Sequence, residues 1–334
     1  MTDKRPDRFA FQQLIDKVAL RLSGWKRGLI SRAGRIVLAS SVLSMIPIFF
    51  MSIFKLPSWV ITQIDRIRRN FIWKGGMTNG SGLHLLSWDR VCLPKQCGGL
   101  GLLNIKLHNI SLLLRWLWRL PPPSRNISLL HAIPRRHELV PAPWSLEDDS
   151  WFQAAQNIPL SPGIDKLVWR WTTNGKFSVA STYKQLILAG KHSFQFVNFW
   201  KLKVPPTVKL FLVLLCHGRI LTQEQLLRRN INVDPQCHLC GQLVLETSNH
   251  LFVHCVFSSS LWSMLQLPGL EDLQSLFELL NALPTNVRNS TLIATAISGL
   301  WLERNSRIFR DQRRNMQAVH DWMVHEATLF MKSC

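Results

Sequence analysis

The strongest constraint on what this chain can fold into is the spacing of three cysteines and one histidine in its second half. Two residues separate Cys237 from Cys240, nine separate Cys240 from His250, and four separate His250 from Cys255. Two thiolates at the first spacing can bind one side of a tetrahedral ion from a tight turn, and the second pair can come from the start of a helix. Four protein ligands leave no coordination position for water. The pattern therefore predicts one structural Zn²⁺ ion and no hydrolytic metal site.

Neighbouring residues leave alternatives to this ligand set. His238 and His254 lie beside predicted ligands and are candidate substitutes, although solvated side chains are the ordinary interpretation of both. A redox Cys-x-x-Cys pair would need a strand before it, and Asp234-Pro235 argues against that strand. Cys216 is predicted to be a thiol buried in a helix.

The charge balance points to a polyanionic partner. The chain of 334 residues has 40 Lys and Arg against 20 Asp and Glu, a formal net charge of +20. Such a field attracts nucleic acid through counterion release, and basic charge that only aids solubility is the alternative. Hydrophobic residues make up 47% of the chain, which argues against wholesale disorder.

Cysteine usage and the amino-terminal residues predict an intracellular, reducing compartment, with nucleus and cytoplasm not distinguished. The seven cysteines follow a mixed, charged start that does not resemble a secretory signal. The uncharged stretch 36–54 is near the lower limit for a membrane span, but it contains four serines and Pro47. We expect a buried helix pair broken at Pro47, and no membrane partner.

The sequence predicts a mainly α protein in four parts. Residues 11–120 form a basic helical region, residues 121–164 a Pro-rich linker, residues 165–265 a zinc-stabilised helical domain and residues 266–334 a basic helical tail. Asn174-Gly175 lies between two apolar runs, which predicts a small β-hairpin at the start of the zinc domain.

Helical spacing also predicts individual elements. An apolar stripe over residues 60–72 follows Ser58, a plausible N-cap, and the last helix of the first region covers residues 108–120 with Trp116 on its buried side. Further helices are expected from Ser181 to about Leu188, over 208–215, over 223–229 after Thr222 as a cap, and within 273–331.

Two arginine clusters are candidates for phosphate contacts. The first lies on the helix face opposite the apolar stripe and is interleaved with Phe71 and Trp73, so that basic and aromatic groups alternate as in many nucleic-acid surfaces. A solvated helix face and core aromatic residues are the alternatives. The candidate contacts are Arg66, Arg68 and Arg69 in the first cluster, and Arg304, Arg307, Arg310, Arg313 and Arg314 in the second.

The motifs of nucleotidyl transfer are not found. Two-metal polymerases need carboxylates held close together, and the adjacent pair Asp148-Asp149 lies in the Pro-rich linker. Tyr183 is followed by Lys184-Gln185 instead of two aspartates, and the Gly98–Gly101 turn lacks the Lys of a phosphate-binding loop. The sequence therefore predicts that the chain is not an enzyme by itself.

Several motifs together resemble the zinc-binding domain that follows the reverse transcriptase of LINE-type (non-LTR) retrotransposons of plants. In the second half they are 175–179 (GKFSV), 198–206 (NFWKLKVPP), 217–222 (HGRILT), the Cys237 to Cys255 series with Glu246-Thr247 and 250–252 (HLF), Trp262, and 301–305 (WLERN). The first half is similar to the region just after the polymerase core at 25–26 (WK), 29–35 (LISRAGR), 55–57 (KLP), 71–73 (FIW) and 98–101 (GGLG). This similarity implies that the helical region 11–120 is thumb-like.

The resemblance covers nearly the whole chain and implies the C-terminal part of such a protein, truncated before the catalytic palm and without the endonuclease. It implies a non-catalytic module that binds RNA or an RNA–DNA hybrid, or an accessory part that is active only with a palm supplied elsewhere, or an inert remnant. His238 replaces a common Pro and Val213 a common Trp of the family, and neither change touches a predicted zinc ligand.

Overall fold

The computed structural model describes residues 7–23, 29–75, 83–119, 168–189, 197–267, 270, 273–281, 283 and 286–333. These residues form helices joined by short turns and contain no β-strand, so the prediction of a mainly α protein is confirmed. None of the described helices is both long enough and apolar enough to span a bilayer. The predicted Pro-rich linker lies outside the described residues.

Helices account for most of the described chain, and most begin or end at a cap or a proline. Short π-helical turns lie at Ala39–Leu43 and His250–His254, and short 3₁₀ helices lie at Lys95–Cys97 and Val197–Lys201. In chain order the α-helices are α1 (Arg8–Ser23), α2 (Arg32–Leu38), α3 (Ile48–Ile53), α4 (Ser58–Lys74), α5 (Trp88–Cys92), α6 (Ile105–Arg119), α7 (Val179–Leu188), α8 (Pro206–Cys216), α9 (Gln223–Leu227), α10 (Val256–Leu265), α11 (Leu276–Asn281), α12 (Val287–Arg310) and α13 (Met316–Ser333).

The chain divides into two compact units, and each unit is built from three segments that are separated in the sequence. The first unit draws on Met1–Lys17, Ser44–Ile64 and Leu103–Gly190, and the second on Val18–Leu43, Asp65–Leu102 and Lys191–Cys334. Helix α2 and its π turn precede the break at residues 44–47, and α3 follows it, as predicted from Pro47. The prediction that this pair is buried is wrong for one side of it, because Val37 is 57% and Phe49 69% exposed. The domain boundaries drawn from the sequence remain a prediction.

Asn109 fastens α6 in the first unit to the chain around α3. The side chain is almost fully buried. Its Oδ1 accepts the backbone N–H of Leu56 at 2.8 Å, and its Nδ2 donates to the carbonyls of Met51 and Phe54 at 2.8 and 2.9 Å. These three bonds satisfy backbone groups that the end of α3 and the following loop would leave without a partner.

The predicted β-hairpin is wrong over its described residues. Residues 168–178 form a turn in which Trp169 N–H donates to the carbonyl of Gly175 at 2.8 Å, and no ladder follows. Trp118 of α6 lies against the turn, with its ring 5.3 Å from Trp169 and 5.7 Å from Phe177 between centroids. The alternating apolar residues of this segment pack in an aromatic cluster instead of forming a strand.

Most predicted helices are confirmed, with shifted ends. Helix α7 begins at Val179 because Ser178, rather than Ser181, is the N-cap and accepts the Ser181 N–H at 3.0 Å. Thr222 precedes α9 as predicted, without a side-chain capping bond. Trp116 was predicted to be buried and is 48% exposed, since its indole N–H donates to the Ser52 carbonyl beside solvent.

A glycine-rich turn in the second unit binds the loop after α8. Gly99 has no room for a side chain, because an added Cβ would lie 2.0 Å from the Leu93 carbonyl oxygen. The neighbouring Gly98 carbonyl lies 2.7 Å from Nε2 of His217, and Arg90 Nη1 lies 3.1 Å from the other ring nitrogen, Nδ1. Arginine only donates, so the pair of contacts fits a neutral His217 with its proton on Nε2.

This arrangement predicts acid sensitivity. Burial lowers the pKa of His217, and Arg90 lowers it further, against the raising effect of the Gly98 carbonyl. As pH falls, His217 is therefore protonated in the unfolded chain before it is protonated in the folded protein. Its contribution to folding stability is fully present above about pH 6.5 and is lost as pH falls from there toward the lower pKa of the folded state. The free energy of unfolding in urea, compared at pH 7.5 and 5.5, should fall more in the wild type than in His217→Gln. Equal losses would contradict this prediction.

Candidate metal centre

The first two ligands lie on a tight turn that the local sequence dictates. The N–H of Gly241 donates to the Cys237 carbonyl at 2.8 Å, and the N–H of Cys237 donates to the Gln242 carbonyl at 2.9 Å. Gly241 has a φ of 75°, in the left-handed region that glycine adopts without strain. The turn places the Cys237 and Cys240 side chains on the same side of the chain, as the two-residue spacing predicts.

The second pair of ligands marks the entry into α10. His250 begins the second of the two π turns among the described residues, and Cys255 follows it as the N-cap residue of α10, with its N–H donating to the His250 carbonyl at 2.7 Å. Ser258 then donates its hydroxyl to the Leu251 carbonyl. The wider π turn brings residues five apart onto one side, which places the imidazole and the thiol together.

The four ligand atoms have the separations of a tetrahedral zinc site. Two of the separations match that geometry closely, with Cys237 Sγ 3.9 Å from Cys255 Sγ and Cys240 Sγ 3.6 Å from His250 Nε2, and all four atoms lie within 4.8 Å of one another. Zn–S bonds of about 2.3 Å and Zn–N bonds of about 2.0 Å give tetrahedral edges of about 3.8 Å between sulfurs and about 3.5 Å between sulfur and nitrogen. The residues present fit one Zn²⁺ ion held entirely by protein ligands.

Electrostatics within the cluster favour a bound dication. Contact with Cys255 raises the pKa of the Cys237 thiol, burial raises it further, and the same contact lowers the pKa of Cys255. Each thiol thus opposes ionisation of the other, and a bound dication would stabilise both thiolates. Burial lowers the pKa of His250, which keeps the imidazole in the neutral form that binds metal.

The alternative ligands are not part of the cluster. His238 and His254 are exposed, and within the described part of the chain the one group of three or more metal-binding side chains is Cys237, Cys240, His250 and Cys255. Cys216 is half-buried on α8, and burial raises the pKa of its thiol, as expected for an inert cysteine.

A buried glutamine connects the two halves of the site. Gln223, the first residue of α9, is 2% exposed and donates from Nε2 to the Gln236 carbonyl at 2.7 Å. Its Oε1 accepts the N–H of Glu246 at 2.9 Å. One side chain thus fixes both the residue before the cysteine turn and the segment that leads to His250.

A buried ion pair connects the segment that leads to His250 with α12. Glu246 is 0% exposed and Arg304 is 4% exposed. The guanidinium donates to both carboxylate oxygens, with Nη2 2.7 Å from Oε1 and Nε 3.1 Å from Oε2. Such a fork satisfies both groups, whereas removal of either partner leaves a buried charge.

Arg307 extends this connection to the cysteine turn. It pairs with the buried Glu303 at 2.9 Å and donates from Nη1 to the Leu239 carbonyl at 2.6 Å. Arg314 pairs with the other oxygen of Glu303 at 2.8 Å. The sequence did not predict that α12 supports the cysteine turn, because it grouped these arginines with their exposed neighbours as candidate phosphate contacts. The available signal was that Glu246 and Glu303 each directly follow a run of three apolar residues.

The eight arginines proposed to contact nucleic acid fall into two environments. Arg68 was predicted on an exposed helix face, but it is fully buried and pairs with Asp65 at 2.7 Å. Arg69 lies over the Trp88 ring with 5.2 Å between the guanidinium carbon and the ring centroid. Arg304, Arg307 and Arg314 form the ion pairs above, whereas Arg66, Arg310 and Arg313 are exposed.

Metal content provides the direct measurement of the site. Purified protein should contain one zinc per chain by mass spectrometry, and chelator should lower the thermal midpoint of the second unit, because structural zinc contributes on the order of 10 kcal/mol to folding. The double variant Cys237→Ser Cys240→Ser should bind none. The matched control Cys97→Ser Cys216→Ser should retain one equivalent. Unchanged melting after chelation would contradict a structural role.

The buried pair predicts a strongly non-additive response. Arg304→Ala should lower the free energy of unfolding by about 3–5 kcal/mol, because Glu246 stays buried without a partner. The double variant Glu246→Leu Arg304→Met should lose much less, since no buried charge remains. Urea denaturation of the zinc-loaded proteins measures both. Additive losses would show that the two side chains do not interact.

Comparisons with known proteins point to the same region. Residues 177–262 match a family model described as zinc-binding in reverse transcriptase, and this range contains all four ligands. Over 424 aligned positions the chain is 24% identical to a putative ribonuclease H protein of Arabidopsis thaliana, covering 96% of this chain and 68% of that protein. No solved structure matches. Together these findings support a retrotransposon-related protein that contains a reverse-transcriptase-type zinc-binding domain.

Proposed function

We propose that this chain is a zinc-stabilised nucleic-acid-binding protein, related to LINE-type reverse transcriptases, that binds RNA or an RNA–DNA hybrid mainly through phosphates. The net charge of +20 and the similarity to the reverse transcriptase zinc domain support a nucleic-acid partner. Charge of this size gives affinity with little dependence on base sequence.

The exposed end of α12 carries the proposal. Arg310 and Arg313 are exposed, and the segment between them is fixed from both sides by the pairing of Arg307 and Arg314 with buried Glu303. One acid, Asp311, lies between the two exposed arginines. The buried pairs hold the backbone, and the exposed guanidiniums remain available for phosphate oxygens.

The proposal gives the chain no polymerase or nuclease activity of its own. Both reactions commonly use carboxylates that hold two metal ions about 4 Å apart. The described residues bring together only the Cys₃His group, whose ligands suit a structural ion with no open position. The name of the Arabidopsis relative refers to ribonuclease H, and we do not extend that activity to this chain.

A second candidate is an accessory role in reverse transcription, favoured by the match to a zinc domain described in reverse transcriptases. In that case primer extension would require a palm domain added in trans. Extension by this chain alone would contradict the non-catalytic proposal, and stimulation of an added palm would favour the accessory role.

Charge reversal tests the proposed phosphate contacts. The double variant Arg310→Glu Arg313→Glu should weaken binding to an RNA–DNA hybrid by about tenfold or more near 0.1 M salt, and the slope of log K against log salt should fall by about 2. Fluorescence anisotropy over a salt series measures both quantities.

The matched control is Arg219→Glu Arg288→Glu, which changes the net charge equally at two exposed positions of the same unit. It should weaken binding much less. Equal effects would indicate a non-specific field rather than contacts at the end of α12. Absence of binding at low salt would favour the inert remnant.

A further inference from the structure

The second unit contains a small, largely apolar cavity. The residues that line it include neither a zinc ligand nor a residue at the end of α12. Its volume is about 220 Å³, and its apolar wall includes Ile36 and Val37 of α2, Leu100, and Leu210 of α8. Val37 is 57% exposed, so this side of the cavity opens to solvent. None of these residues takes part in the contacts proposed above.

The remaining wall combines one aromatic ring with two ammonium groups. Lys95 Nζ lies 4.4 Å from the centroid of the Trp200 ring, and Lys209 Nζ donates to the Trp200 carbonyl at 3.1 Å. The Trp200 indole N–H is buried and has no acceptor among the described residues. Lys95 is exposed, and no carboxylate in the described part of the chain pairs with it.

This combination suits a ligand with a flat apolar body and an attached anion. The volume of about 220 Å³ is smaller than the roughly 300–1,000 Å³ of pockets that bury a drug-sized ligand. That space accommodates a single heteroaromatic ring system but not a base pair. An apolar wall beside two ammonium groups matches a nucleobase joined to its phosphate, and the charge of both lysines opposes a cationic ligand.

We propose that this cavity binds one unpaired nucleotide of a single strand, with the base inside the apolar wall and the phosphate at Lys95 and Lys209. The inference rests on the proposed nucleic-acid binding and adds a preference to it. Phosphate contacts at the end of α12 do not distinguish single strands from duplexes, whereas a cavity of this size admits only a base that is not paired. The chain should therefore bind single-stranded RNA better than phosphate contacts alone allow.

The test fills the cavity without changing the charge. Val37→Trp places a large side chain at the exposed rim, and Val324→Trp makes the same change at an exposed position of α13. Zinc content and thermal midpoint are checked first for both. Val37→Trp should bind oligouridylate about tenfold more weakly than wild type, and Val324→Trp should bind it as wild type does. Affinity for a blunt RNA–DNA hybrid should change less than twofold in both variants.

A second ligand separates the base from the phosphate. An abasic ribose-phosphate oligomer of equal length should bind wild type about tenfold more weakly than oligouridylate, and Val37→Trp should no longer distinguish the two oligomers. Lys95→Gln should reduce the salt slope for oligouridylate by about 0.7, the value for one phosphate contact on a single strand.

The outcomes separate this inference from the function on which it rests. Equal binding of oligouridylate by Val37→Trp and Val324→Trp would overturn the cavity assignment while nucleic-acid binding stands. A loss by Val37→Trp that is equal for single strand and hybrid would also overturn it, because a site for an unpaired base cannot act on a duplex. Wild type that binds neither ligand at low salt would overturn the proposed function and this inference together.

Discussion

Two sulfur atoms 3.9 Å apart inside the protein are the constraint on which the second unit depends. Two thiolates at this distance repel each other unless a cation compensates their charge, and Cys240 and His250 supply the remaining two ligands of a Cys₃His zinc site. The ion thereby joins a turn near residue 240 to the start of α10. Segments with few buried apolar residues, such as 228–249, are held in this way without a large core.

Around the metal centre, buried polar groups extend the same connection. Gln223 bonds the backbone on both sides of the cysteine turn, and the Glu246–Arg304 pair carries the link to α12. Arg307 returns from α12 to the turn itself. Metal, amide and ion pair are therefore parts of one assembly, and loss of the metal should loosen α12 as well as the cysteine turn.

The arrangement also explains how a basic chain divides its arginines between structure and surface. Arg304 and Arg307 face buried glutamates and hold the helix in place, whereas Arg310, its last residue, and Arg313, in the segment after it, are exposed. The structural arginines position the exposed ones. A nucleic-acid surface at this end of α12 would inherit its rigidity from the ion pairs beneath it.

The amino-acid sequence alone determined the ligand set, because two tight local structures place each pair and local spacing is visible in a sequence. It also determined most helices, from apolar residues at a period of 3.6. It did not determine which arginines are buried, since the acids that pair with Arg304 and Arg68 are recognised only by distance and burial. The apolar alternation around Asn174 was read as a hairpin, and only the ring of Trp118, some fifty residues earlier in the chain, made it a turn within an aromatic cluster. The local period of apolar residues predicts where helices form. Ion pairs and aromatic contacts between distant segments exist only once the chain has folded.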